Sequence, residues 1–430
     1  MFSLKNESRF IKISLLIISS IFLFICLYTI FKYGNSTLLG SLETYDNDDV
    51  KYIRSAHTLL STGVLTYKNT ASPTVFIMPG LPYILSFFMK LFGAINGVAA
   101  FRVMQAVLQT LSLLLIFFIG RRVFNNKIGL IAMFLDAIYI PEIWASNLIL
   151  TEVIFKFLFL LLIYFCLYAV ENNKVIYYII GGVIWGLSAL FRPPIALFPI
   201  VILIMWIKKK YSLSYIIKYT VIVSSIFVLI MSPWWIRNYK LYNAFIPFTV
   251  SSGNPMLQGT YINYNDEDGS DSYIDRSHFK YTDDEIENDR TETEIAKLRI
   301  KTLVPQKPLQ YIYWYTVGKT VHQFSSPFYW GEILGFKSAS VKKYHLFLIT
   351  LFISSIFIYL FKRKTYNNFS LLINSVIYTN CIYLPFFCFS RYMFPIIPIV
   401  TISAAFVIFE AKELSMKLIN SYRIRPILFK

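Results

Sequence analysis

The sequence predicts an all-α, polytopic membrane protein, and both its composition and the spacing of its apolar runs support this. Hydrophobic residues make up 56% of the 430 residues, only 15% are charged, and the mean hydropathy is +0.55. A soluble core of this size cannot bury so many long apolar stretches. The net charge is +17. Because the basic residues gather in loops between apolar runs, we attribute this charge to the positive-inside rule and not to nucleic-acid binding.

Apolar length and the positions of Lys and Arg predict about ten membrane spans, with both termini inside. The predicted spans cover residues 11–33, 99–120, 128–140, 150–170, 175–190, 195–207, 215–231, 344–361, 369–387 and 393–409. Basic residues lie in every loop that this assignment places inside. Spans three, five and six are short, so merging any pair would invert the topology downstream.

The long loops divide the chain into three predicted parts. These are an N-terminal transmembrane module (1–233), an extracytoplasmic segment (234–343), and the last spans with a basic cytoplasmic tail (344–430). Within the first part, residues 34–97 form an outer loop. Their apolar periodicity predicts two amphipathic surface helices, at residues 48–61 and 79–92.

The first outer loop places three carboxylates, Asp46, Asp48 and Asp49, close to the outer end of the first span. One interpretation is structural: Asp48 or Asp49 caps the following helix and favours its dipole. The other is catalytic, since a carboxylate at a membrane surface can act as a base on a lipid-borne substrate. The acids alone favour the cap, whereas their surroundings favour catalysis.

Three arginines are predicted at the outer ends of spans, where basic residues are disfavoured. Arg192, Arg237 and Arg391 each lie beside prolines or aromatic residues. Each could extend toward lipid headgroups. Three of them at the level of the acidic loop favour an anion site, and guanidinium groups suit phosphate. Glu152, at the outer end of span four, is either a functional buried acid or an acid stabilised by the helix dipole.

These charges together fit a lipid-linked sugar phosphate. Its apolar tail would lie among the helices, its phosphate would contact arginine, and its sugar carbon would face the carboxylate. A carboxylate could then deprotonate an incoming hydroxyl, while fixed positive charge stabilises the phosphate leaving group.

Other chemistry finds no support in the sequence. Half of the acidic residues, 12 of 24, fall in residues 266–294. We interpret this run as a solvated helical face or flexible loop in preference to a metal site. The four cysteines and four histidines lack metal-ligand spacing. The sequence also lacks a Walker loop, a Gly-rich dinucleotide motif and a nucleophile elbow, which argues against cytosolic nucleotide-driven chemistry.

Several short motifs follow one another between roughly residues 40 and 400. They are Asp48-Asp49-x-x-Tyr52-x-x-x-Ala56, Met78-Pro79-Gly80-Leu81-Pro82-Tyr83, Arg102-x-x-Gln105, Leu150-Thr151-Glu152, Gly186-Leu187-x-Ala189-Leu190-x-Arg192-Pro193, Pro233-Trp234-x-x-Arg237-Asn238-Tyr239 and Arg391-Tyr392-x-x-Pro395-x-x-Pro398. In this order they resemble the GT-C superfamily of polyprenyl-phosphate-sugar-dependent glycosyltransferases. The most similar branch contains the protein O-mannosyltransferases and the lipid A aminoarabinose transferase.

The resemblance implies an inverting transfer of a sugar from a polyprenyl-phosphate carrier to a lipid, glycan or protein acceptor on the outer membrane face. It implies that the catalytic acid is Asp48, with its neighbour Asp49 as the second candidate for the base. The substrate-binding residues it implies are Tyr52, Tyr83, Glu152, Arg192, Arg237, Arg391 and Tyr392. Members of the superfamily differ in metal use, so no metal ligand is assigned and a divalent metal stays open.

We expect a multi-pass protein of a bacterial plasma membrane with an outward-facing site, the endoplasmic reticulum being the alternative. Two other functions stay open. A flippase or transporter of lipid-linked sugars would share the arginines but need no base, and should show an internal repeat. A glycan polymerase or ligase with a pyrophosphate-linked donor would depend on a large outer loop in place of an acidic first loop.

Overall fold

A computed structural model describes residues 2–266 and 269–424, which form helices joined by loops and contain no strand. The α-helices are α1 (Arg9–Tyr33), α2 (Asp48–Thr62), α3 (Gly80–Phe92), α4 (Ala94–Val123), α5 (Asn126–Ala137), α6 (Ile140–Ala145), α7 (Glu152–Asn172), α8 (Val175–Ala189), α9 (Pro199–Lys208), α10 (Leu213–Tyr242), α11 (Gly253–Gly259), α12 (Glu285–Leu303), α13 (Pro308–Tyr313), α14 (Lys319–Phe324), α15 (Ser338–Lys362), α16 (Phe369–Tyr383) and α17 (Ile397–Ile424). The predicted all-α class is confirmed. The last part of the predicted basic tail, residues 425–430, lies outside the described residues, as do Glu267 and Asp268 of the acidic run.

Every predicted span coincides with a helical segment, but the segments differ in length. Within the described part of the chain, six are long and apolar enough to cross a membrane: α1, α4, α7, α10, α15, and α17 with the 3-10 turn before it. Predicted spans five, six and nine fall on shorter apolar helices, and span three falls on the 12-residue α5. The total of ten crossings therefore stays a prediction.

Burial separates the long helices into an inner and an outer group. Within their most apolar 18-residue stretches, α4, α7 and α17 bury most residues, whereas α1, α10 and α15 bury few. The outer helices expose large apolar side chains such as Phe24, Leu229 and Phe361. Such exposure is costly in water and favourable in lipid, so α1, α10 and α15 are the helices that we expect to face the bilayer.

The two amphipathic helices predicted in the first outer loop are present as α2 and α3. Val50 and Ala56 of the predicted apolar face of α2 are fully buried, whereas His57 and Leu60 are exposed. The helix ends at Gly63, whose positive φ of 74° is the left-handed conformation that glycine adopts without strain.

The structure places the described residues in the first half of the acidic run in a loop and the second half at the start of a helix, the two conformations that were predicted for it. This second half begins α12, where Asp284 is the N-cap and accepts a hydrogen bond from the Ile286 N–H at 2.7 Å. Acidic residues in that first turn favour the helix dipole. In the first half, Asp271 forms ion pairs with Arg276 and with the buried Arg299. Part of the run is thus an ion-pair network that holds α12 to the preceding loop.

Candidate active site

The two adjacent acids at the start of α2 have different environments. Asp49 is fully buried: its Oδ2 accepts the Leu39 N–H at 2.6 Å and its Oδ1 accepts the Val50 N–H at 2.8 Å. Burial outweighs these hydrogen bonds and raises the pKa of Asp49 above its usual value. Neither acid is the N-cap, because Asn47 occupies that position and accepts the Asp48 N–H. Asp49 therefore anchors the loop that leads into α2.

Gly40 allows this loop to pack tightly on α2. A Cβ at this position would lie 2.6 Å from Asp46 Oδ1 and 2.7 Å from the Asn47 Cβ. Only glycine fits such an approach without displacing its neighbours. The close contact fixes the first turn of α2 and with it the position of Asp48.

Asp48 is partly accessible and is held by two partners. Its Oδ1 accepts the Tyr67 hydroxyl at 2.7 Å, its Oδ2 lies 2.8 Å from Arg391 Nη2, and 37% of its side chain is exposed. Burial alone would raise the pKa of Asp48. The positive charge of Arg391 and the hydrogen bonds from Tyr67 and Arg391 outweigh it and lower the pKa below its usual value. Asp48 is thus a carboxylate that a ligand can reach.

Glu152 links the two arginines of the site. Its Oε1 lies 3.3 Å from Arg391 Nε and forms an ion pair with Arg192 Nη2. Arg192 also donates from Nε to the Thr151 hydroxyl at 3.0 Å. The result is a chain of alternating charges, Asp48–Arg391–Glu152–Arg192, which we call the charge chain.

Local structure explains how distant segments supply these residues. Arg192 follows the end of α8, where the Gly80 N–H at the start of α3 donates to the Leu190 carbonyl at 2.9 Å. A Cβ on Gly80 would lie 2.8 Å from that carbonyl oxygen, so glycine is required there too. Arg391 lies in the 3-10 turn Ser390–Ile396 that leads into α17.

Tyrosines surround the charge chain. The rings of Tyr52 and Tyr67 lie 5.4 Å apart between centroids, and those of Tyr383 and Tyr392 stack at 4.7 Å. The Tyr392 ring also lies 5.6 Å from the Arg192 guanidinium. Burial, followed by the charge of Asp48, raises the pKa values of Tyr52 and Tyr67, so both hydroxyls stay protonated donors.

An apolar groove adjoins the charge chain on the side of Tyr392. It encloses about 460 Å³. Its lining includes Pro193, Leu197, Phe248, Tyr383, Phe386 and Tyr392. The groove therefore continues from the arginines along apolar helix surface.

Two predicted site residues lie outside the charge chain. Arg237 donates from Nη1 to the Thr74 carbonyl at 2.9 Å and its guanidinium lies 4.8 Å from the Trp234 ring. It thus fixes the loop after α2. Tyr83 on α3 is 53% exposed. The structure brings together the other predicted residues: Asp48, Tyr52, Glu152, Arg192, Arg391 and Tyr392.

Three residues of this site were not predicted: Tyr67, Thr151 and Tyr383. Tyr67 contacts Asp48 from a loop of no regular periodicity, so no pattern distinguishes it from the other 30 tyrosines. Thr151 precedes Glu152 and was quoted only as part of a motif.

No group of three or more His, Cys, Asp or Glu is placed to hold a metal ion within residues 2–266 and 269–424.

The class of protein follows from the fold together with a sequence match. Residues 73–236 match the family described as dolichyl-phosphate-mannose-protein mannosyltransferase. Together with the helical architecture described above, this match over part of the chain supports the GT-C superfamily assignment. Among curated proteins, none matches the chain significantly.

Solved structures with the same fold include the oligosaccharyltransferase of Archaeoglobus fulgidus. Its apo form superposes with a TM-score of 0.56 at 16% identity, over 97% of this chain and 53% of that one. The archaeal oligosaccharyltransferase AglB from the same organism, in complex with an inhibitory peptide and a dolichol-phosphate, gives 0.53 at 16% identity, over 96% and 52%. This chain thus spans about half the length of those enzymes. ArnT from Cupriavidus metallidurans bound to undecaprenyl phosphate gives 0.44 at 10% identity, over 91% and 77%.

Proposed function

We propose that this protein is an inverting glycosyltransferase that moves a sugar from a polyprenyl-phosphate-linked donor to a hydroxyl or amine acceptor on the outer membrane face. The observation that carries the proposal is the charge chain: an accessible carboxylate, Asp48, in direct contact with an arginine at the outer end of a membrane bundle. The shared fold and the mannosyltransferase match support the same reaction class.

Asp48 is the proposed general base. Its carboxylate takes the proton of the acceptor hydroxyl, and the acceptor oxygen forms the new bond to the anomeric carbon. The bond from that carbon to the phosphate oxygen breaks on the opposite face, and the lipid phosphate leaves with the electron pair. Such base catalysis typically contributes about 100-fold to 10,000-fold in rate. Asp49 is too deeply buried and too fully hydrogen-bonded for this role.

The arginines are the proposed phosphate ligands. In the charge chain, two carboxylates balance two guanidinium groups, so the site carries no excess positive charge before the donor binds. A donor phosphate would compete with Asp48 for Arg391. As that contact weakens, the pKa of Asp48 rises and the carboxylate becomes a stronger base. Donor binding would thereby activate the base.

The carrier class follows from the surroundings of the arginines. The groove beside Tyr392 offers apolar surface for a prenyl chain, directly next to Arg192. The name of the matched family includes a dolichyl phosphate sugar, and the AglB complex contains dolichol-phosphate. The charge chain supplies two arginines. A monophosphate carrier needs fewer cationic ligands than a pyrophosphate carrier, so we favour the monophosphate.

The test supplies purified protein in nanodiscs with radiolabelled sugars on three carriers: polyprenyl phosphate, polyprenyl pyrophosphate and a nucleoside diphosphate. An acceptor mixture of membrane lipid and glycan extract is offered to each. We expect label transfer only from the polyprenyl monophosphate, and none after Asp48→Asn.

Glu43→Gln is the matched control, because Glu43 is an exposed acid of the same loop. Equal transfer by Asp48→Asn and wild type would overturn the base assignment. Transfer only from the pyrophosphate would overturn the donor class. In a parallel assay in proteoliposomes, movement of intact labelled lipid across the bilayer without sugar transfer would assign the chain to the transporters.

A further inference from the structure

A second cavity lies on the other side of α2 from Asp48. Helical geometry places Asp48 and Tyr52 on one face and Ile53, Arg54 and His57 on another. The second cavity encloses about 450 Å³ between the outer ends of α1 and α4 and the exposed side of α2. We call it the α2 cavity. The charge chain does not line it.

The α2 cavity contains a buried guanidinium with a free nitrogen. Arg102 is only 3% exposed, donates from Nε to the Asn147 carbonyl at 2.7 Å, and donates from Nη1 to Asn35 Oδ1 at 3.0 Å. Its buried Nη2 has no hydrogen-bond partner among the described residues. An unsatisfied buried N–H group of a charged side chain is destabilising, because it has lost its contact with water and gained no partner. A ligand in the cavity would remove that destabilisation.

A second arginine adds positive charge to the same cavity. Arg54 donates from Nη2 to the Tyr67 and Lys68 carbonyls, at 2.8 and 3.2 Å, and its guanidinium lies 4.7 Å from the Tyr45 ring. Its Nε is buried without a partner in the described chain. Neither Arg54 nor Arg102 forms an ion pair within that part of the structure, so no carboxylate neutralises either charge directly.

The charges around the cavity favour an anion. Its lining contains Arg54, His57 and Arg102 and no carboxylate. Asp49 acts on Arg102 electrostatically from nearby, but its two oxygens accept backbone N–H groups. Guanidinium nitrogens are well suited to phosphate oxygens.

The mouth of the cavity favours an amphiphile over a free ion. Ile95 is 85% exposed and Leu42 is 39% exposed, and with the exposed Ala94 they form an apolar rim, while the buried Val98 and Met89 line the interior. The rim lies at the ends of α1 and α4, both of which are long enough to cross a membrane. An acyl chain could therefore extend from the rim into the bilayer while its phosphate enters the cavity.

We propose that the α2 cavity binds the phosphate headgroup of an anionic lipid, separately from the donor site. The proposal is independent of the glycosyltransferase function. A bound lipid there would tie α2, which carries Asp48, to the outer leaflet.

The test uses delipidated protein and native mass spectrometry, titrated with dioctanoyl phosphatidylglycerol, uncharged dioctanoylglycerol or inorganic phosphate. We expect one saturable binding site for phosphatidylglycerol, which should bind at least about tenfold more tightly than either other probe. Arg102→Gln should weaken it about tenfold.

Because Arg102 also bonds Asn35 and Asn147, Arg102→Gln could unfold the outer end of α4. Ala99→Phe fills the cavity without removing a charge, and it should abolish the saturable binding. Val107→Phe on the exposed side of α4 and Arg363→Gln at an exposed loop are the matched controls. Equal binding of charged and uncharged lipid, or unchanged binding in folded Arg102→Gln and Ala99→Phe, would overturn the proposal. Preference for inorganic phosphate would assign the site to a soluble anion instead.

Discussion

Asp48 and Asp49 are neighbours with the same side chain, yet one is reachable and the other is buried. The difference arises because the loop before α2 folds over Asp49 and leaves Asp48 facing Tyr67 and Arg391. The sequence left open which of the two is the base. Only their contacts separate a base candidate from a structural anchor.

Replacing Asp49 should reduce stability more than chemistry. In Asp49→Asn, an NH2 group replaces one of the two carboxylate oxygens, and this group cannot accept the N–H of Leu39 or Val50 that the oxygen accepted. Leaving a buried N–H unpaired costs about 1–3 kcal/mol, so thermal unfolding in detergent should begin at lower temperature. Glu43→Gln, at an exposed acid of the same loop, is the control. An unchanged unfolding temperature for Asp49→Asn would contradict the anchoring role.

The pH dependence of transfer should report the contacts of Asp48. Because Arg391 and Tyr67 lower its pKa, Asp48 stays charged at pH values where an ordinary aspartate is protonated. In the pH profile of kcat/KM, the midpoint of the acid limb should therefore lie below the usual pKa of an aspartate. Tyr67→Phe removes a hydrogen bond to the charged form, raises the pKa, and moves the acid limb to higher pH.

Tyr273→Phe is the matched control for this profile, because Tyr273 is exposed in the outer segment. A shift of the acid limb to lower pH in Tyr67→Phe, or no shift, would contradict the assignment of that limb to Asp48.

At the scale of elements, α7 carries charge at two levels. Glu152 in its first turn belongs to the charge chain, and Lys156, one turn later, pairs with Glu142 of α6. Both partners of that pair are essentially fully buried. Breaking a buried pair leaves one charge without compensation, whereas replacing both partners removes the cost.

Lys156→Met should therefore destabilise the protein by about 3–5 kcal/mol, and the double variant Lys156→Met with Glu142→Met should recover most of that loss. Thermal unfolding of the purified proteins measures both. A double variant less stable than Lys156→Met would show that the loss of stability in Lys156→Met does not come from an unpaired Glu142 charge, and would contradict this account.

The elements were the most predictable part of the structure. Apolar length located a helical segment at every predicted span, and periodicity located α2 and α3, because both signals are local. The ion pair between Asp271 and Arg299 was not predicted, because the two residues are 28 positions apart in the chain. Likewise, Arg237 was grouped with the other outer arginines, but its contact with Thr74 depends on how α10 packs against a loop.

At the scale of the whole molecule, the charge chain constrains the topology. Asp48 and Arg391 are 343 residues apart, and their contact requires an even number of membrane crossings between them. The sequence could place both on the outer side from loop charge, but no pattern could show that they touch. Long-range contacts of this kind depend on packing of the entire bundle.

The predicted orientation places the charge chain outside. In a Cys381→Ser background, Glu43→Cys should react with a membrane-impermeant maleimide in intact cells, and Lys364→Cys should react only after permeabilisation. Both positions are exposed, and the other three cysteines are buried. Labelling of Lys364→Cys in intact cells with protection of Glu43→Cys would contradict the outward-facing site.

The most direct measurement of the central claim is single-turnover sugar transfer by wild type, Asp48→Asn and Asp49→Asn, at matched folded concentrations. We predict that Asp48→Asn loses at least about 100-fold in rate at the same folded concentration, because the base is removed. Its unfolding temperature should fall, because Arg391 loses the carboxylate with which it pairs. Folded Asp49→Asn should retain most of the wild-type rate. Full activity of Asp48→Asn, or a selective loss in folded Asp49→Asn, would contradict the assignment of Asp48 as the general base.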